Sequence, residues 1–369
     1  MEVTAVTGIL DTTLALVFAW VGYKTTRILW KYTPYSYPNA RIRAMEARLF
    51  NEQKFNELAE SKTLNNFIIN LEDSDYKDYL ANLPSYDAES IERALDTAFA
   101  DIYSLMFKIL PKRVNPFFKL LLQEWDIRNI SSIVKAKISG EPAVNYITEL
   151  GTMVPKIKAM ADAKSMEEIL VILEGTEYEE IYQRLLLGEI SVDEFETQLY
   201  RMHYMKLLDY ASSRKDEEKI ILEEFVNLRI DKLNILTILR AKAHNLKADV
   251  VKSFLIPGGT INKKILETLL NVEDLSMALA ELDSTKYGGI IKNVREEIET
   301  DLSVLGREFD RYIRDRLKEL TRFYPLSVAI PLNFILQKEV EIKKLKAIAK
   351  LIEDDIFPEK IKEIIGELA

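Results

Sequence analysis

Three segments of this chain repeat one another, and that recurrence restricts the fold more than any other feature. Residues 63–76, 165–178 and 274–287 align without a gap, at offsets of 102 and 109 residues. Each opens on a good N-cap: Thr63, Ser165 or Asp274. Leu64, Phe67, Ile68 and Leu71 then fall at i, i+3, i+4 and i+7, one face of a short helix. Met166, Ile169, Leu170 and Leu173 repeat that face, as do Leu275, Ala278, Leu279 and Leu282. An acid follows (Glu72, Glu174, Asp283), then Ser74, Thr176 or Thr285 as a second cap, then Tyr76, Tyr178 or Tyr287. The pattern predicts a helix, a tight corner and another helix, three times over.

A second recurrence links residues 126–137 to 231–242 at an offset of 105. Ile130, Ile133 and Val134 form an apolar stripe that Ile235, Ile238 and Leu239 reproduce, while Asp126 with Asn129, and Asp231 with Asn234, sit one turn apart. Glu341, Lys344, Leu345 and Ile348 echo the same spacing more faintly, and Arg41, Ile42 and Met45 more faintly still. Together these predict an all-α protein of three similar helical modules at 33–115, 116–222 and 223–330. Residues 331–369 read as closing helices that pack on the first module, and 1–32 as a hydrophobic N-terminal extension. A period near 105 is too long for a solenoid repeat. The expected arrangement is pseudo-threefold and funnel-like, around a central depression.

Composition agrees with a helical chain and excludes several chemistries. Twelve Gly and eleven Pro in 369 residues leave few helix breakers. The absence of cysteine removes disulfides, thiolate nucleophiles and thiolate metal sites. His203 and His244 have no ligand-pair spacing, so no metal site is expected. No glycine-rich phosphate loop of the usual kinds occurs, so neither a cofactor site nor a catalytic residue is assigned. A net charge of −9 argues against a nucleic-acid partner.

Residues 3–30 are the one strongly hydrophobic stretch, with an unbroken apolar core from Leu14 to Val21 that includes Phe18 and Trp20. A spanning helix needs about 20 apolar residues, a length reached here only by tolerating Glu2 and Asp11. Lys24, Arg27 and Lys31 follow the run, among Trp20, Tyr23 and Trp30, like the flank of a membrane interface. Two readings stand: contact with a membrane or a membrane partner, or a helix laid into an apolar groove.

The segment Asn39 to Met45, with Arg41 and Arg43, adds a resemblance. Taken with the Asp-x-x-Asn-Ile helices, the Pro257-Gly258-Gly259 corner and the Glu/Lys/Leu-rich closing helix, it resembles the C subunit of archaeal-type and vacuolar-type rotary ATP synthases. The resemblance covers residues 34 to 369. It implies a non-catalytic part, one copy per complex, at the cytoplasmic face of the cell membrane. Such a part joins the axle of D and F subunits to the membrane ring of ion-carrying K/c subunits and transmits torque between ATP chemistry and ion transport. The family generally lacks the first 30 residues present here; were they an anchor, the place left for it is the lipid at the centre of the ring.

Asp126, Asn129, Asp231 and Asn234 are expected to tie helices to neighbouring backbone, because a duplicated pair is a poor active site. Tyr76, Tyr178 and Tyr287 are expected as corner tyrosines whose rings pack and whose hydroxyls reach backbone. Two alternatives to the torque-transmitting role are an all-helical enzyme, with a cryptic site among Asp126, Asp231, His203 and the tyrosines, and a membrane-tethered scaffold.

Overall fold

The computed structural model describes residues 2–298 and 300–368, with side chains from Thr13 onward. Among the described residues every regular element is helical: eighteen α-helices and one 3-10 turn, Ala143–Tyr146. The helices of 21 residues or more are numbered here in chain order: α1 (Glu2–Glu46), α2 (Ala88–Ile109), α3 (Asn115–Ser139), α4 (Val192–Ser212), α5 (Asp216–Ala243), α6 (Ser303–Phe323) and α7 (Ala329–Glu353).

Three tight links make hairpins of these rods. Residues 110–114 turn α2 into α3, 213–215 turn α4 into α5, and 324–328 turn α6 into α7. Local chemistry explains the breaks. Pro111 ends α2, because its ring cannot continue the helical ladder. Ser191 and Glu194 form a reciprocal capping box that starts α4. The rods then pack in a closed circuit: α2 on α3, α3 on α4, α4 on α5, α5 on α6, α6 on α7, and α7 back on α2. The last contact joins elements more than two hundred residues apart. The C-terminal helix Pro358–Glu367 completes the closure by packing on Glu52–Ala59 near the other end of the chain.

Between the rods lie the short repeated helices Leu64–Ile69, Met166–Leu173 and Leu275–Leu282. Thr63, Ser165 and Asp274 each accept a hydrogen bond from the backbone N–H three residues on. The Ser74, Thr176 and Thr285 hydroxyls each donate to the carbonyl three residues back and accept the N–H of the tyrosine two residues on. The same corner is therefore built three times from the same atoms. Apolar packing divides differently. One large core takes in the first and last parts of the chain, and a smaller core, from Ile127 to Leu199, is held by the middle part alone.

Helix α1 is continuous across residue 32, so the hydrophobic extension and the Asn39–Met45 segment lie on one rod. Pro34 and Pro38 sit inside it and each removes a backbone donor where the rod meets the body. Among the described residues no helix is long and apolar enough to cross a membrane.

Candidate functional site

The three inner rods α3, α5 and α7 carry one acid each near mid-length, and each acid binds a loop. Asp126 accepts from the Thr152 N–H at 2.9 Å, the Thr152 hydroxyl at 2.6 Å and the Met153 N–H at 3.1 Å. Asp231 repeats the set with Thr260 N–H at 2.9 Å, its hydroxyl at 2.5 Å and Ile261 N–H at 3.3 Å, and adds the Tyr287 hydroxyl at 2.6 Å. Glu341 of α7 takes the Phe50 N–H, the Tyr76 hydroxyl and the Lys338 ammonium, all at 2.6 Å. Loop and tyrosine therefore come from the start of the chain and the acid from its end.

Glycine makes the approach possible. A Cβ on Gly151 would lie 2.1 Å from Asp126 Oδ1, and one on Gly259 2.2 Å from Asp231 Oδ1. Both glycines have positive φ, +142° and +88°, where side-chain-bearing residues are strained. One turn further along, the Asn129 amide donates to the Thr148 and Leu150 carbonyls and its oxygen accepts the Thr148 N–H. Asn234 does likewise with both backbone groups of Ile256. Lys344 replaces the amide on α7 and lies over the Phe55 ring instead.

The tyrosine hydroxyls differ from expectation. Tyr76 and Tyr287 are buried, but they donate to Glu341 and Asp231 rather than to backbone. A buried carboxylate with an open lone pair is the stronger acceptor. Burial, with the adjacent anion, pushes both phenols well above their usual pKa. Tyr178 is equally buried and stands near Asp126, and its phenol is raised for the same first reason, burial.

Two residues before each acid, the rods bring three further charges together: Glu124 on α3, Arg229 on α5 and Glu339 on α7. Arg229 meets Glu124 at 2.7 Å, and Arg128, one turn along α3, reaches Glu124 at 2.9 Å and Glu339 at 3.6 Å. Burial alone would raise the Glu124 carboxyl, but Arg229 and Arg128 outweigh it and hold the group at about 2. His203 of α4 faces this cluster, 3.9 Å from Glu124, and its Nε2 has no hydrogen-bond partner. Its burial lowers the imidazole pKa to about 4, against a weaker upward pull from Glu124. The ring is therefore neutral at neutral pH.

Above this cluster lies a depression of about 390 Å³ lined from α2, α3, α5, α6 and α7. Six basic side chains line it against four acidic ones. Arg128, Arg229, Lys232 and Lys346 are paired. Arg314 of α6 and Lys343 of α7 have no ion-pair partner within 4 Å among the described residues. Asp96 at the rim is raised to about 6 by burial, against the pull of Lys346. Among the described residues no group of acids and histidines could hold a metal.

Asp126, Asp231 and His203 do not share partners: each acid binds its own loop, and His203 faces Glu124. Asn39 is buried and donates to the Ser327 carbonyl at 3.0 Å, fixing α1 to the link before α7. Arg41 and Arg43 are exposed, the first bonded to the Tyr37 hydroxyl and the second to Glu46. Lys31 pairs with Asp216 at 3.3 Å and with Glu217. Leu14, Phe18, Trp20, Lys24 and Arg27 all lie outside the body. Glu124, Arg229 and Glu339 are not among the residues singled out from the sequence. Their signal was available: a charged residue two places before the acid in all three aligned rods.

A family model described as ATP synthase (C/AC39) subunit matches residues 38–364. A protein of Thermococcus onnurineus, named as the C subunit of an A-type ATP synthase, is 68% identical over 369 residues, covering 100% of both chains. One of the same name from Desulfurococcus sp. (strain SY) is 66% identical, covering 99% of this chain and 100% of its own. A more distant one, from Methanosphaera stadtmanae, is 32% identical over 371 residues, covering 97% of this chain and 94% of its own.

Proposed function

This chain belongs to the ATP synthase (C/AC39) subunit family, and from that membership we propose that it is the non-catalytic coupling part of the central stalk. It sits at the cytoplasmic face of the membrane, one copy per complex. The central depression receives the foot of the axle formed by the D and F subunits, and the opposite end rests on the membrane ring of ion-carrying subunits. Torque passes through the closed circuit of rods. Three similar modules related by a pseudo-threefold axis would give the body the same bending stiffness in every direction around that axis.

The observation that carries this reading is the meeting of Glu124, Arg229 and Glu339 from matching positions on three separate rods, beneath an open, cation-rich recess. The acids nearby are already engaged, Asp126 by three donors and Asp231 by four, which favours a mechanical role over the enzyme alternative. Two ends are distinguishable. Residues 31–39 of α1 dock where the inner rods begin, near Glu217 and Ser327, whereas the recess is lined by their middle turns.

The test is a complex assembled without this chain. It hydrolyses ATP in its soluble head and moves no ions; full ion transport after clean removal would overturn the reading. Because the chain has no cysteine, Lys343→Cys supplies a unique cross-linking point. It is expected to capture an axle subunit in the intact complex.

A further inference from the structure

We propose that residues 13–30 of α1 form an arm that inserts into the hydrocarbon of a lipid bilayer from one face, without crossing it. The proposal is independent of the stalk reading and rests on the arm itself.

The arm stands clear of the body. Every described residue from 13 to 30 is exposed, and from Leu14 onward the first attachment to the body is Lys31, followed by the Tyr32 and Tyr35 hydroxyls on Glu217 and Glu218. Eighteen helical residues extend about 27 Å at 1.5 Å each. Yet the exposed side chains are apolar: Phe18 is 68% exposed, Trp20 61% and Trp30 79%. Water is a poor environment for such a surface, since each square ångström of it is worth about 25 cal/mol on burial.

The distribution of these side chains selects the occupant. At 100° per residue, Leu14 and Phe18 point to one side, Leu16, Trp20 and Tyr23 to the other, and Val17 and Val21 between them. A groove on a partner would cover one stripe and leave the rest wet. A helix apolar around its circumference calls for a medium that surrounds it. The charges bound how much of it hydrocarbon can take. Between Asp11 and Lys24 the sequence carries no charge for twelve residues, about 18 Å of helix, short of a hydrocarbon core of about 30 Å. Lys24 and Arg27 follow at the level where phosphate headgroups begin, and Trp20, Tyr23 and Trp30 flank them as interface aromatics do. The Lys24 ammonium lies 5.5 Å from the Trp20 ring, so the pair can occupy that boundary together. Behind them, Lys31 is already neutralised by Asp216 and Glu217, marking the body's edge.

The experiment uses the full chain and vesicles of phosphatidylcholine with a minority of phosphatidylglycerol, without other subunits. Trp30→Phe and Trp125→Phe leave Trp20 as the only indole. With vesicles its emission shifts to the blue and bromine placed on the acyl chains quenches it. Phe18→Asp lowers partitioning about tenfold to a hundredfold, and since Phe18 touches no part of the body, circular dichroism stays unchanged. Lys24→Glu with Arg27→Glu abolishes the extra binding contributed by phosphatidylglycerol. Three results would overturn the proposal: an unquenched Trp20, partitioning indifferent to Phe18→Asp, or a vesicle-free oligomer that Phe18→Asp dissolves. The last would make a second copy of the chain the occupant.

Discussion

Replacing Glu341 by alanine tests how the two ends of the chain are joined. Glu341 is 3% exposed and holds three partners: the Phe50 N–H, the Tyr76 hydroxyl and the ammonium of Lys338, itself 4% exposed. Alanine leaves a buried cation without its anion and two donors without an acceptor. Removing one member of a buried pair destabilises by about 3–5 kcal/mol. Lys338 keeps its position 4.5 Å from the Tyr76 ring, a contact that returns about 1 kcal/mol. The expected loss is therefore about 2–4 kcal/mol, a change of about thirtyfold to several hundredfold in a local opening equilibrium. Amide exchange reads it directly. Protection should fall in residues 50–80 and along α7, while residues 127–199 keep theirs because they pack in a separate core. The double variant Lys338→Met with Glu341→Leu should recover most of the loss, since apolar replacement of a whole buried pair is often neutral. A loss below about 1 kcal/mol in Glu341→Ala, or exchange accelerated equally across 127–199, would refute the idea that this seam closes the body.

Gly259→Ala should lower stability by about 3 kcal/mol, combining left-handed backbone strain with displacement of the Asp231 carboxylate. Gly175→Ala, at φ +73° with no atom within 4 Å of the new Cβ, should lose only the backbone part, about 1 kcal/mol; equal losses in urea unfolding would contradict the role given to the carboxylate. His203 gives a pH dependence. Its folded pKa of about 4 lies below the ordinary value of 6.5, so its contribution is complete above pH 6.5 and is lost as pH falls toward 4. The groups facing it are Glu124, Arg128, Arg229 and the Tyr204 ring. Glu124, held at about 2, gives way only below 4.5. His203→Phe should flatten the stability profile between pH 6.5 and 4 and leave the fall below 4.5 intact.

The corners were legible because caps and apolar spacing act within a few residues. Thr63, Ser165 and Asp274 cap as their side chains dictate, and the Ser/Thr-x-Tyr turn has the same bonds at each copy. The all-helical class followed from the same local signals. The partner of Tyr76 was not legible. Its acid stands 265 residues away, and the faint echo at Glu341 has a longer side chain and a lysine in place of the asparagine. Glycines 151 and 259 were equally opaque, since their necessity comes from a carboxylate on another element. The central charges were visible in the alignment of the rods, but charged residues on a helix usually face water. Only the packing of α3, α5 and α7 turned that face inward.

A cluster of the buried Glu124 with the half-buried Arg128, Arg229 and Glu339 is a weak source of stability, because desolvation offsets much of the attraction. What it supplies is direction. Apolar rods packed on one another tolerate small slips, since dispersion contacts are numerous and individually worth little. A forked guanidinium tolerates fewer: Arg229 meets Glu124 across α5 and α3, and Arg128 spans from Glu124 to Glu339 across α3 and α7. Rotation of α3 or α5 about its axis would separate the buried Glu124 from Arg229, and rotation of α7 would take Glu339 from the half-exposed Arg128. The three acids one half-turn away bind their loops under the same condition, with glycine admitting no slack at two of them. The stiffness proposed for this body therefore resides in the polar interior of the inner rods, and the apolar core around them sets the shape those charges hold in register.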